Sequence, residues 1–304
     1  MTATVASNPT VGKEFASSIA EISEIRARDP QRIARLLANR ERRPMLGADG
    51  KLMIIACDHP ARGALAAQGR PTAMASRSEL LGRLVVALAR PGVDGLLATA
   101  DIVEDLLLLG ALEGKVVFAS LNRGGLQGSS FELDDRNTGY DVQGTVEGGF
   151  DGLKMLTRID LADPATVVTL ETQARIITEL NRRRTIAMVE PFMSSRVGGK
   201  IVNDLSPDAV IKSMHIAQGL GASSAYTWLK LPVVAEMERV MDATTLPTLL
   251  LGGDPEGSAD DTYAAWQAAL QLPSVRGLMV GRTMLYPADG DVAKAVDTAV
   301  SLVR

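Results

Sequence analysis

Leu52-Met53-Ile54-Ile55-Ala56-Cys57-Asp58 is an apolar run without polar alternation that ends abruptly in a carboxylate. A strand with one face in water alternates apolar and polar residues, whereas an unbroken apolar run marks a strand covered on both faces, the habit of parallel sheets. Comparable runs follow at 93–98, 115–120, 150–156, 185–190, 222–229, 248–251 and 277–280, eight in all. Helical patterns fill the intervals, among them 76–89, 164–183 and 207–219, the last opened by Ser206 as an N-cap. Eight such units in about 250 residues predict a single (β/α)8 barrel. The segment 12–42 reads as an extra helical region, so the expected organisation is an N-terminal extension over 1–42 and a barrel over 43–304. A doubly wound open sheet has the same periodicity, and only the residues at the strand ends separate the two.

Bulk composition narrows the function classes. The 304 residues are 46% hydrophobic and mean hydropathy is +0.10, enough apolar material for a large core. A net charge of -4 and a pI near 5.4, with no Lys/Arg stripe interleaved with aromatics, argue against nucleic acid and for small-molecule chemistry. Cys57 is the one cysteine, which rules out an intrachain disulfide and a Cys-rich zinc site. Residues 1–8 lack the basic start and apolar core of a signal peptide, and no apolar run approaches a membrane span. A soluble, cytoplasmic protein is expected.

In a barrel the chemistry lies at the C-terminal ends of the strands. That edge carries Asp58 and Arg62 after the first strand, Asn122 and Arg123 after the third, Lys154 on the fourth and Glu190 on the fifth. Lys230 closes the sixth, Gly252 and Gly253 follow the seventh, and Gly281 and Arg282 follow the eighth. Lysine is normally kept in water, so Lys230 at the end of Tyr226-Thr227-Trp228-Leu229-Lys230 needs a reason, and imine formation is one. A lysine-dependent aldolase needs an unprotonated amine, and Lys154 would supply like-charge repulsion or bind a substrate oxygen. It also needs a base for the hydroxyl proton, with Glu190 the first candidate and Asp58 the second. The competing structural reading is a ring of ion pairs, Lys154 with Glu190 and Lys230 with Asp58, that closes the barrel top.

The glycines ending the last two strands let backbone amides approach an anion, and Arg282 adds a forked donor, so this edge reads as a phosphate site. His59 either shuttles protons or shapes the turn before Pro60, and His215 reads as structural on its helix. No histidine pair with a carboxylate stands at metal-ligand spacing, so neither a metal nor another cofactor is expected. Cys57 reads as a small core residue. The Gly-rich stretch 124–149 is too long for a turn and reads as a lid or a subunit contact, and 194–200 reads as a similar loop.

The run Ala56-Cys57-Asp58-His59-Pro60-Ala61-Arg62-Gly63 resembles the first-strand motif of the class I aldolases that include archaeal-type fructose-bisphosphate and tagatose-bisphosphate aldolases. Trp228-Leu229-Lys230-Leu231-Pro232 is similar, more narrowly, to an actinobacterial aldolase-like (β/α)8 group related to deoxyribose-phosphate aldolase. The resemblance implies an imine-forming Lys230, with Lys154 and Glu190 as its partners, Arg62 on substrate and Gly281-Arg282 on phosphate. It also implies a homo-oligomer and, through relatives in inositol catabolism, cleavage of 6-phospho-5-dehydro-2-deoxygluconate to dihydroxyacetone phosphate and malonate semialdehyde. A carboxylate end of such a substrate would face Arg62, Arg123 or Arg196, and the sequence does not choose among them. The expectation is therefore a metal-independent lyase on a phosphorylated ketose or keto acid. The alternatives are a sugar-phosphate isomerase or epimerase on the same barrel and a non-catalytic sugar-phosphate-binding barrel.

Overall fold

The computed structural model of the chain describes residues 15–252 and 259–304. Two short helices, α1 (Ile19–Arg28) and α2 (Gln31–Ala38), precede the sheet. The strands are β1 (Leu52–Cys57), β2 (Gly95–Ala98), β3 (Val116–Ser120), β4 (Gly152–Ile159), β5 (Ile186–Val197), β6 (Lys200–Asn203), β7 (Thr227–Pro232), β8 (Thr248–Leu251) and β9 (Val275–Val280). Between them lie α3 (Arg77–Leu88), α4 (Ala100–Leu108), α5 (Val142–Glu147), α6 (Ala165–Arg182), α7 (Pro207–Gln218), α8 (Met237–Asp242) and α9 (Ala259–Leu270), and α10 (Arg282–Leu285) and α11 (Val292–Val303) end the chain. Every strand but β6 is parallel to its neighbours, and the β1–β9 and β4–β5 pairings close the eight parallel strands into a ring, with β6 appended to β5. The sheet is thus a closed (β/α)8 barrel, and the open-sheet alternative is excluded.

The period of two along each strand sorts side chains into two cores. Met53, Ile55 and Cys57 face the helices, while Leu52, Ile54, Ala56, Phe118, Met188, Trp228 and Met279 fill the barrel interior. Interior packing needs small residues opposite large ones. A Cβ on Gly152 would sit 2.6 Å from the Phe118 ring, so glycine there makes room for that ring. Met45 and Leu46, in the segment that leads into β1, pack onto this interior cluster. Asp94 ties that end together, accepting from the Met53 amide at 2.7 Å and pairing with Arg304 at 2.6 Å and with Arg43. The first helix is held to α4 through Arg26, 2.8 Å from both Glu104 and Asp105.

Several boundaries differ from expectation. The sixth barrel strand, β7, starts at Thr227 rather than at 222, because 221–226 turns and bends before joining the sheet. Lys230 therefore lies within a strand that runs on to Pro232. Strand β4 continues three residues beyond the apolar run, through Arg158 to Ile159, paired along its length with β5. The segment 194–200, expected to be a loop, is the tip of an antiparallel hairpin in which β5 turns into β6 at Gly198-Gly199. Both glycines have positive φ, +56° and +81°, as a two-residue hairpin turn requires. No described helix is long and apolar enough to cross a membrane.

Candidate active site

Strand register brings the charged residues together. Ser120 pairs with Lys154, Leu156 with Glu190 and Met188 with Trp228, so the inward face of each strand delivers its next residue to one layer at the C-terminal mouth. Asp58, Ser120, Lys154, Glu190 and Lys230 all belong to that face, above the apolar layers, and all are buried. Glu190 is the bridge. Its Oε1 accepts from Lys230 Nζ at 2.7 Å, and its Oε2 pairs with Lys154. Lys154 Nζ continues to Asp58 Oδ2 at 3.1 Å, and that oxygen also accepts from Ser120 Oγ at 3.1 Å and lies 3.3 Å from Arg123 Nη1. The ring of two separate ion pairs is not what forms. Lys154 contacts both carboxylates, and Lys230 contacts Glu190 rather than Asp58.

Three buried cations thus face two buried carboxylates, and one proton can leave the group without stranding an uncompensated charge. Burial opposes ionisation of Glu190, but the Lys154 and Lys230 ammoniums outweigh it and hold the carboxyl at about 2. Asp58, against the same burial, is held well below the usual carboxylate range by Lys154 and Arg123. Burial draws Lys154 below the ordinary lysine value, with Asp58 and Glu190 opposing and Arg123 and Lys230 adding repulsion. His59, in the turn after β1, is pushed down to about 3 by burial, against Asp58 and reinforced by Arg282, Lys230 and Lys154. Its imidazole is neutral near pH 7, and Nδ1, 3.8 Å from Asp58, has no hydrogen-bond partner.

These groups open onto a cavity of about 610 Å³, within the range of small-molecule sites. Gly252, Gly281 and Arg282 line it from the ends of β8 and β9, and Arg62, Arg123 and Arg158 line it from the turn after β1, the end of β3 and β4. Glycine at 281 has a packing reason besides any ligand, because a Cβ there would meet the Ala56 carbonyl oxygen at 2.2 Å. Arg282 Nη1 donates to Ala66 O at 3.3 Å. Gly253 lies outside the described residues.

Two sequence candidates stand apart from the cavity lining. Asn122 exchanges hydrogen bonds with the Leu156 backbone, Nδ2 to the carbonyl at 2.5 Å and Oδ1 from the amide at 2.8 Å, which clamps β3 to β4. Arg196 is exposed on the hairpin and donates to Ser130 O at 2.9 Å and Gly199 O at 3.3 Å. Among the described residues no group of three His, Cys, Asp or Glu side chains is placed to hold a metal. Burial pushes the Cys57 thiol up, which leaves it un-ionised at neutral pH.

A crystal structure of Cgl0159 from Corynebacterium glutamicum (Brevibacterium flavum) is 56% identical, covers 97% of this chain and 99% of that chain, and superposes with a TM-score of 0.92. The family profile described as Cgl0159-like matches residues 50–300. The chain belongs to the Cgl0159-like family. At lower identity it is similar in fold to a Schiff-base-forming fructose-1,6-bisphosphate aldolase, 20% identical over 90% of this chain and 100% of that one, TM-score 0.60. It is likewise similar to an archaeal fructose-1,6-bisphosphate aldolase whose catalytic Lys is bound to a carbinolamine intermediate, 19% identical over 89% and 99%, TM-score 0.61. No curated protein matches the sequence.

In this Cgl0159-like chain the mouth also holds residues that the sequence reading missed. Arg158 is one, and period two would have found it, since Lys154, Leu156 and Arg158 share a strand face once β4 is extended. Glu132 and Asp135 are others, and no periodicity marks them, because they lie in the irregular loop that bridges Asn122 to Asn137. That loop is cross-linked rather than free. The Gly125 amide donates to Asp135 at 3.0 Å, the Gly128 amide to Glu132 at 2.7 Å and the Gln127 amide to the Arg62 carbonyl at 2.9 Å.

Proposed function

We propose that the chain is a class I aldolase that cleaves a phosphorylated ketose or keto acid through an imine on Lys230. The observation that carries this reading is the continuous buried contact chain Lys230–Glu190–Lys154–Asp58 at the floor of a ligand-sized cavity. Lys230 Nζ attacks the substrate carbonyl, water leaves, and the protonated imine takes up the electron pair of the breaking carbon–carbon bond as the far hydroxyl loses its proton. Glu190 touches the Lys230 nitrogen and is the first candidate to move protons there and at the hydroxyl, with Asp58 the second. Both carboxyls have low affinity for protons, so neither stores one at neutral pH; the proton taken from the hydroxyl is handed on to the carbon of the enamine left on Lys230, while Lys154 stays an ammonium in contact with both carboxylates. Gly252, Gly281 and Arg282 receive the phosphate. Such a substrate is 6-phospho-5-dehydro-2-deoxygluconate, and assembly as a homo-oligomer belongs to the same reading.

An isomerase on this barrel would rely on a carboxylate as its resting base. It would not need Lys230 as an amine, and the burial of Lys230 Nζ against Glu190 at 2.7 Å on the cavity floor favours the imine route. Borohydride reduction in the presence of dihydroxyacetone phosphate is the test. A mass adduct on the Lys230 peptide, lost in Lys230→Met together with nearly all cleavage, is expected. Turnover without an adduct would mean isomerase chemistry, and phosphate binding with neither would mean a binding protein.

A further inference from the structure

Arg62, Arg123 and Arg158 converge on one side of the cavity, and only part of their donor capacity is used within the chain. Arg158 spends Nη1 and Nη2 on Glu132, at 2.8 Å to the carboxylate and 2.6 Å to the backbone carbonyl, while its buried Nε has no partner. Arg123 spends Nε on Asn122 O and Nη1 on Asp58, and its buried Nη2 has no partner. Both residues are 5% exposed. Leaving a guanidinium N–H buried and unpaired is costly, and both of these belong to side chains that line the cavity, where a small reorientation brings them to an acceptor from outside the chain. Arg62, on the single 3-10 turn Pro60–Arg62 after β1, reaches Glu132 only at 3.5 Å and keeps most of its fork for another partner. Burial lowers its proton affinity, and Arg158 and Arg123 add repulsion, as expected of three cations crowded together.

The charge of this corner sets the class of ligand. Glu132 and Asp135 offset two of the three guanidiniums, with Asp135 3.6 Å from Arg158, and Asp58 draws on the third. What remains suits a planar group with a single negative charge that accepts paired N–H bonds. A phosphate, carrying ~1.5 to 2 charges, would be over-charged against the neighbouring Glu132 and Asp135. We infer that Arg62, Arg123 and Arg158 form a carboxylate subsite, so that the substrate carries a carboxylate at the end opposite its phosphate. The inference rests on the reading of the Gly281–Arg282 edge as the phosphate end, and it selects a phosphorylated keto acid over a ketose bisphosphate. Arg196, committed to Ser130 and Gly199, is no part of it.

The test uses ligands that cannot form an imine, so that binding is separated from catalysis. Calorimetric titration compares 6-phosphogluconate with glucitol 6-phosphate, which has the same carbon chain with an alcohol in place of the carboxylate, and with glucitol 1,6-bisphosphate. The expected order is 6-phosphogluconate tightest, by roughly 10–100-fold over glucitol 6-phosphate, the ratio that a charge-assisted hydrogen bond supplies. In Arg62→Gln and Arg123→Lys that ratio should collapse toward unity while the affinity for glucitol 6-phosphate holds. Equal binding of all three ligands, or tightest binding of the bisphosphate, overturns the carboxylate subsite and leaves the phosphate reading standing. Variants that weaken both monophosphates alike would mark the arginines as a tether for the 124–139 loop. Failure of every phosphate compound to bind would remove the phosphate end, and this inference with it.

Discussion

At the residue scale, Glu190 is the group on which the proposed chemistry turns, because among the described residues it alone contacts both lysines. Replacing it by Gln keeps the shape and removes the charge and the proton acceptor. If Glu190 moves protons during cleavage, Glu190→Gln should lower turnover by about 10²–10⁴-fold while borohydride still traps an adduct on Lys230. Loss of trapping as well would show that Glu190 is required for imine formation itself, and near-wild-type turnover would transfer the base role to Asp58. Lys154, Glu190 and Lys230 were legible in the sequence because each is a charge set in an apolar strand, a combination that needs an explanation. Arg158 was harder to read because it stands where the apolar run has already ended, and only strand pairing shows that β4 continues. Glu132 was not legible at all. It is one acid among several in a loop, and its contact with Arg158 depends on how that loop folds back.

At the scale of elements, the eight βα units followed from unalternating apolar runs, and their edges did not. Tertiary pairing fixed those edges: β5 runs on to Val197 because Gly198-Gly199 lets β6 pair back on it, a local event that strand hydrophobicity does not report. The β1–β9 seam makes a second case. Gly281 was read from the sequence as an anion-binding glycine, and the structure adds that a side chain there would collide with the Ala56 carbonyl across the seam. Gly281→Ala should therefore destabilise the barrel by about 1–3 kcal/mol, the range for forcing an added methyl into packed backbone, as well as weaken binding of a phosphate ligand. Urea denaturation reads the first effect and calorimetry with glucitol 6-phosphate the second. Unchanged stability with lost affinity would mean that the seam relaxes freely and that this glycine serves the ligand alone.

At the scale of the whole molecule, the same buried charges make stability a function of pH. The Glu190 carboxyl titrates at 4.5 in an unfolded chain and at about 2 in the fold, a depression, so its contribution is fully present above 4.5 and is lost as pH falls through 2. At 1.36 kcal/mol per unit this is roughly 3 kcal/mol. His59 acts in the same direction from a higher pH. Its folded value, about 3, lies below the unfolded 6.5, so between these limits the unfolded chain binds a proton that the folded chain refuses, and stability falls as the solution is acidified. The stability curve should begin to drop below pH 6.5 and steepen below 4.5. His59→Gln should flatten the first part and leave the second. Glu190→Gln should be less stable than the parent at pH 7, since two ammoniums lose their shared counter-charge, and the gap should narrow toward pH 2 as the parent's own carboxyl protonates. Chemical denaturation of the three proteins from pH 8 to pH 3 measures both. A parent curve flat from pH 7 to pH 5, or a Glu190→Gln gap that does not narrow with acid, would show that these groups are better solvated than their burial at the barrel mouth implies.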